Sequence, residues 1–246
     1  MAGHSHWNNI QRTKGVADAK RGKVFSKLSR YIMIAAKAGG GDPDSNLKLR
    51  YAIDKARSVS MPKENIERAV KKGTGELEGI TFDEITDEGY GAGGSAILID
   101  ITTDNRARTS GEIKRIFEKG GGKIGMPGTV AWLFERKGII LIDANKTTEE
   151  QLMEVALEAG ADDIQRDGDT FEVTCDPSNF TAVQEALSKA KIEASSTELT
   201  QIAKTPLDAD VETQQKVLKL MEMLDDYDDV QNVYTNLNIT AEATTA

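Results

Sequence analysis

Apolar positions between Asp18 and Lys37 recur every three to four residues, the period of a helix that buries one side. With Lys20 set at 0° and about 100° per residue, Val24, Phe25, Leu28, Ile32, Ala35 and Ala36 fall between roughly 40° and 160°. Lys20, Lys23, Lys27, Arg30 and Lys37 fall between about 260° and 360°. One face therefore packs, and the opposite one is a basic stripe. Gly39, Gly40 and Gly41 end this helix, and Asp42-Pro43-Asp44-Ser45 forms a turn that caps the next. The second helix runs to about Val59, with Leu49, Ile53 and Ala56 inward and Lys48, Arg50, Lys55 and Arg57 outward. Pro62 opens a third, with Ile66, Ala69 and Val70 inward and Lys63, Arg68, Lys71 and Lys72 outward, which Gly73-Thr74-Gly75 terminates.

Beyond Gly79 the period changes from 3.6 to 2, and strand-like runs alternate with helix-like ones. Residues 82–90 and 95–103 predict strands, 109–119 a helix and 129–135 a further strand. A complete set follows: strand 138–143, helix 148–159, strands 163–165 and 170–175 joined at Asp167-Gly168-Asp169, helix 179–189 and strand 196–202. That order, βαββαβ, is the ferredoxin-like split motif. The chain then adds a helix, 211–224, and a strand, 230–239, the two elements that 82–135 lacks for a βαββαβ unit of its own. The fold class is therefore α+β, an N-terminal three-helix domain plus two ferredoxin-like α+β domains, one discontinuous. The expected boundaries are 1–78 for the basic helical domain, 79–135 with 206–240 for the discontinuous one, and 136–205 for the inserted one.

Charge sharpens this division. Residues 1–72 carry 16 Lys and Arg against 6 Asp and Glu, a balance of +10 in a chain of net charge −9. A cationic field of that density draws polyanions, while an acidic body keeps the rest of the molecule off the same phosphates. One such face is often only solvated; three successive helices exposing cations point to nucleic acid as the partner. The candidate contacts are His4, His6, Trp7, Lys14, Lys20, Arg21, Lys23, Lys27, Arg30, Lys37, Lys48, Arg50, Lys55, Arg57, Lys63, Arg68, Lys71 and Lys72. His4-Ser5-His6-Trp7 adds stacking and hydrogen-bonding groups suited to unpaired bases, although Trp7 serves equally as a core plug. Arg106 and Arg108, beside Asn105 in a strand-to-helix turn, form a second basic spot; capping and pairing with Asp100 or Asp104 explain them as well. Asp225, Asp226, Asp228 and Asp229 cluster where a helix dipole disfavours them, and they read either as a solvated acidic end or as a contact for a basic protein partner.

Other chemistry has little support. Gly89, Gly91, Gly94 and Gly120, Gly122, Gly125 both match G-x-G-x-x-G, but each leads into a strand instead of a helix, so no dinucleotide cofactor is expected. Two His and one Cys cannot assemble a Cys/His zinc site, and no G-x-S-x-G elbow supplies a nucleophile, so neither metal nor catalysis is expected. Cys175 alternates with Phe171 and Val173 and reads as a core thiol in a reducing compartment. The longest apolar stretch near the N-terminus, Tyr31 to Ala36, is far below the roughly 18 residues of a membrane span. Without a secretory or organellar leader pattern, a cytoplasmic location is the expectation.

Several runs together resemble one family. Gly3-His4-Ser5-His6-Trp7, Asp18-Ala19-Lys20-Arg21-Gly22-Lys23, Gly40-Gly41-Asp42-Pro43 and Ala52-Ile53-Asp54-Lys55-Ala56 are similar to the YebC/PmpR family of transcriptional regulatory proteins. So are Met61-Pro62-Lys63-Glu64-Asn65-Ile66-Glu67-Arg68-Ala69, Glu88-Gly89-Tyr90-Gly91, Thr103-Asp104-Asn105-Arg106 and Val130-Ala131-Trp132-Leu133-Phe134. The resemblance spans nearly the whole chain. It departs from the family pattern at Leu47, where Pro is usual, and at His6, where Lys is commoner. It implies a helical domain with two α+β domains, one discontinuous, and a non-enzymatic regulator of gene expression. Two accounts attach to it: DNA-binding transcriptional regulation, and a ribosome-associated factor that contacts rRNA or tRNA and relieves stalling at stretches such as consecutive prolines.

Overall fold

The computed structural model describes residues 18–79 and 81–244, apart from the side chains of 18–21 and of Ala241. The helical period seen at its start becomes α1 (Asp18–Gly39), α2 (Leu47–Ser58) and α3 (Lys63–Thr74). Leu28, Ile32, Ala35 and Ala36 of α1 pack on Leu49, Ala52, Ile53 and Ala56 of α2 and on Ile66 and Ala69 of α3. Each buried Leu or Ile contributes about 1.5–3 kcal/mol, enough to hold three short amphipathic helices together. Gly73 makes the α1–α3 crossing close, because a Cβ there would run into the Met33 carbonyl. The cap of α2 is Asn46, not the preceding Asp-Pro-Asp-Ser turn. Its Oδ1 accepts from Leu49 N (3.1 Å), and its Nδ2 donates to the Ala35 and Gly40 carbonyls at the end of α1 (2.8 Å each), so one side chain caps two helices.

Past residue 80 the strands pair into two four-stranded antiparallel sheets. The first contains β1 (Asp83–Tyr90), β2 (Ala96–Thr103), β3 (Lys123–Ile124) and β8 (Val230–Thr235) in the order β3-β1-β2-β8. The second contains β4 (Phe134–Asp143), β5 (Ala161–Asp167), β6 (Thr170–Cys175) and β7 (Ser196–Ala203) in the order β5-β6-β4-β7. Each sheet carries helices on one face. Ile97, Ile99 and Ile101 meet Ile113 and Phe117 of α4 (Arg106–Lys119) and Val217, Leu220, Met221 and Leu224 of α7 (Val211–Asp225). Ile140, Ile142, Phe171 and Val173 meet Leu152 and Ala156 of α5 (Glu149–Glu158) and Phe180, Val183 and Leu187 of α6 (Phe180–Lys189). The chain closes with a short helix, α8 (Ala241–Thr244). Ala96, Leu98 and Tyr234 of the first sheet share a cluster with Val130, Phe134 and Ala203, which joins the two sheets. Cys175 is fully buried in the second core, and burial pushes its thiol up to about 11.

Two further expectations need correction. The strand expected at 129–135 is absent: Ala131–Leu133 is a 3-10 turn, Phe134 opens β4 of the second sheet, and the third strand of the first sheet is Lys123–Ile124. Thr129 to Phe134 has strand-like composition, but the buried Glu88 carboxylate binds the backbone N–H groups of Val130 and Ala131 and holds them in a turn. The first sheet also follows the chain order ββαβ and then αβ, not βαββαβ. A hairpin comes first, α4 carries the chain over β1 to β3, and α7 brings β8 beside β2. The hairpin forms because Gly93 (φ +67°) and Gly94 (φ +77°) turn the chain tightly between β1 and β2.

Candidate nucleic-acid interface

α7 ends in the acidic turn that the helix dipole disfavours, and its last carbonyls have no intrahelical partner. α1 supplies both lacks. Lys23 Nζ donates to the Asp226 carbonyl (3.2 Å), and Lys27 Nζ donates to the Asp225 carbonyl and pairs with its Oδ1 (3.1 Å). Arg30 donates to the Asp228 carbonyl (2.6 Å) and to Asp229 Oδ1 (2.9 Å). The acidic cluster thus has a basic partner within its own chain, and a large part of the α1 stripe lies on it.

Asp229 is the centre of this seam. Its other oxygen, Oδ2, accepts from Arg108 (2.7 Å), Thr109 (2.7 Å), Thr103 (3.2 Å) and Tyr227 (3.4 Å), and only 5% of the side chain is exposed. Burial pushes the carboxyl up; the bonds from Thr109 and Arg108 and the charges of Arg30 and Arg108 outweigh it and hold it below the usual value. The same pairing holds Arg108 protonated well beyond its ordinary range. Arg108 also pairs with Asp104 (2.8 Å), and Asn105 caps α4 by accepting from Arg108 N (3.1 Å). Arg106 pairs with Asp83 (3.1 Å).

The helical unit touches the sheets elsewhere too. Lys48 Nζ lies 2.7 Å from both Glu84 oxygens on β1 and 6.0 Å from the Tyr31 ring. Arg30 stacks over Phe82 at 5.4 Å. Tyr51 of α2 meets α6, with its hydroxyl 2.8 Å from Thr181 Oγ1 and its ring edge-on to Phe180 at 5.3 Å. Arg50 bonds the Pro43 and Asp44 carbonyls, while Arg57 and Lys63 form exposed pairs with Asp54 and Glu67.

A different set remains open. Lys37, Lys55, Arg68, Lys71 and Lys72 are exposed and form no ion pair with a described acid. Arg68, Lys71 and Lys72 stand at i, i+3 and i+4 on α3, opposite its buried Ile66 and Ala69. The side chains of Lys20 and Arg21, and His4, His6, Trp7 and Lys14 entirely, lie outside the described residues. The cations are legible in the sequence but the seam is not, since its partners are about two hundred positions apart and leave no local signal.

Among the described residues, no three His, Cys, Asp or Glu side chains are grouped to hold a metal, and no helix is long and apolar enough to cross a membrane. Burial raises the carboxyls of Asp87 and Asp100. Asp100 accepts from Tyr234 (2.9 Å) and Asn232 (3.5 Å) within its own sheet.

Family profiles cover nearly all of the chain: the TACO1/YebC N-terminal domain matches residues 5–76, and the TACO1/YebC second and third domain matches residues 82–237. A "Probable transcriptional regulatory protein" of Desulfatibacillum aliphaticivorans is 49% identical over 243 residues, covering 99% of this chain and 98% of that protein. A protein of Geobacter sulfurreducens, also named as a probable transcriptional regulatory protein, is 51% identical over 242 residues, covering 98% of each. The crystal structure of a conserved hypothetical protein from Aquifex aeolicus superposes with a TM-score of 0.84 at 44% identity, covering 96% of this chain and 97% of that one.

Proposed function

The chain belongs to the TACO1/YebC family, and from that membership we propose that it regulates gene expression by binding nucleic acid in the cytoplasm, without catalysing a reaction. Residues 1–78 form the binding unit in this reading, 79–135 with 206–240 a discontinuous α+β unit, and 136–205 an inserted one. The carrying observation is the open set Lys37, Lys55, Arg68, Lys71 and Lys72, cations without an acidic partner among the described residues of a chain whose net charge is −9. DNA is the leading target, in keeping with the transcriptional regulatory names of the relatives.

One observation supports a second reading beside it, ribosomal RNA or tRNA as the target. The cations exposed on α3 are three lysines, Lys63, Lys71 and Lys72, and one arginine, Arg68, with no exposed Asn or Gln beside them, a set that suits phosphate contacts more than the bidentate reading of base edges in the major groove. Backbone grip serves either polymer.

The test is fluorescence anisotropy of the wild type and of an Arg68→Ala/Lys71→Ala/Lys72→Ala variant on duplex DNA and on structured RNA across a salt series. The variant is expected to bind about 10- to 100-fold more weakly, and on duplex DNA its salt slope should fall by roughly 0.9 for each phosphate it no longer neutralises. Unchanged affinity and slope would remove α3 from the interface. Crosslinking in cells then separates the two polymers: promoter DNA supports the first reading, and ribosomal RNA or tRNA the second.

A further inference from the structure

Glu88 lies on β1 with its carboxylate turned into a loop forty residues further along the chain. Its Oε1 accepts from Gly128 N (2.6 Å), its Oε2 from Val130 N (2.6 Å) and Ala131 N (2.7 Å), and its backbone carbonyl from Gly125 N (2.7 Å). Burial pushes this carboxyl up, but the backbone N–H bonds outweigh it and bring it below its ordinary value, so an ionised group is the template on which the loop is wound. Gly128 at φ +85° supplies the left-handed position that the winding needs, and Val130 and Phe134 are buried on the inner side.

The outer side of this fixed loop is apolar and open. Trp132 is 65% exposed and Met126 78%, the two most exposed large hydrophobic side chains among the described residues. Trp132 is also held in place: its indole Nε1–H donates to the Thr129 carbonyl (3.0 Å), and Thr129 N in turn donates to the Met126 carbonyl (3.1 Å). The exposed Lys204 places its ammonium 3.1 Å from the Trp132 carbonyl. The indole has therefore given its hydrogen-bond donor to the loop, keeps its ring in solvent, and stands beside a cation.

We propose that Trp132 is a stacking platform for one unpaired nucleobase, with Lys204 placed to meet the adjoining phosphate. The inference rests on the nucleic-acid reading above and adds to it a contact outside α3, on the turn that precedes β4. A ring with no free donor recognises by its face, and stacking on an aromatic face is tolerant of sequence because every base has one. Size favours a base over a protein partner: a stable protein interface covers about 800 Å² on each side, more than an indole and a thioether provide, whereas one stacked base matches one indole. Rigidity fits as well, since an anchored ring loses little freedom on binding.

The experiment measures labelled oligo(U) and oligo(dT), with a labelled duplex as control, against the wild type, Trp132→Ala, Trp132→Phe and the α3 triple variant. Trp132→Ala is expected to weaken single-strand binding about 5- to 150-fold with the duplex affinity and the salt slope unchanged, and Trp132→Phe to retain most of the single-strand affinity. Unchanged single-strand binding by Trp132→Ala overturns the platform and reassigns the open indole to a protein partner. An equal loss on duplex and single strand overturns it too, because the residue would then act only through the loop's structure. If Trp132→Ala binds normally while the α3 variant fails, the platform falls and the nucleic-acid reading stands; if the wild type binds none of the three, both fall.

Discussion

The helical unit carries two cationic faces built from the same residue types at helical spacings, and the chain uses them differently. On α1, Lys23, Lys27 and Arg30 lie against the C-terminal turn of α7, where bare carbonyls and the side chains of Asp225 and Asp229 receive them. On α3, Arg68, Lys71 and Lys72 are exposed and find no acid among the described residues. Helical spacing alone does not separate the two. What separates them is the opposing surface: α1 meets a helix end whose dipole and acidic side chains attract cations, and α3 meets solvent. A basic stripe is thus evidence for an anionic partner, and that partner can be the protein's own helix terminus.

Breaking the seam at its centre gives the largest expected effect. Asp229→Ala removes the acceptor shared by Arg30, Arg108, Thr103 and Thr109, and leaves Arg30 with the Asp228 carbonyl, Arg108 with Asp104 and Thr109 with the Asn105 carbonyl. Because Arg108 is about half exposed and the partners keep other acceptors, a loss of about 2–4 kcal/mol is expected in urea unfolding near pH 7, reduced from the roughly 3–5 kcal/mol of a fully buried broken pair. The pH dependence has a definite sign. The folded-state pKa of Asp229 lies below its unfolded value, so its stabilisation is complete above the unfolded carboxylate range near pH 4 and is lost as pH falls through the folded value. The gap between wild type and Asp229→Ala should therefore narrow toward about pH 2. The α3 triple variant is the contrast: as an exposed surface change it should alter stability by no more than about 0.5 kcal/mol.

A smaller effect is expected at the edge of the seam. Lys27 is 15% exposed at its side chain and Lys23 is exposed, so Lys23→Ala with Lys27→Ala should cost about 1–2 kcal/mol, less as salt is added. Its affinity for duplex DNA should stay near wild type. An affinity loss matching that of the α3 variant, with stability unchanged, would break the comparison, since the stripe would then be leaving α7 for nucleic acid.

How far the sequence could anticipate this follows from distance along the chain. α1, α2 and α3, and the turn at Asp167-Gly168-Asp169 between β5 and β6, rest on apolar spacing and turn residues within a few positions, so the α+β class was readable. The segment 129–133 was not, because its composition reads as strand while Glu88, forty residues earlier, dictates its shape. For the interface, the segregation of charge was readable, but which cations α7 would occupy was not. The stripe and the acidic turn each have a complete local description, and only the fold brings them together. Trp132 belongs to the same segment: the sequence predicts a strand over 129–135, and the anchored loop turns the ring outward.

The smallest effect tests whether the whole docking surface behaves like the seam. Lys48 pairs with Glu84 at 2.7 Å, yet the two side chains are 34% and 47% exposed, unlike Asp229. An ion pair that wet gains little over hydration of its partners, so short distance alone does not make it strong. Lys48→Ala should cost about 0.5 kcal/mol or less at moderate salt, and nothing measurable at high salt, when followed by urea unfolding. A cost approaching that of Asp229→Ala would mean that the docking energy is spread over the exposed contacts. The α1 seam would then differ from the α3 face in degree only, and enough polyanion could be expected to peel the helical unit away from the sheets.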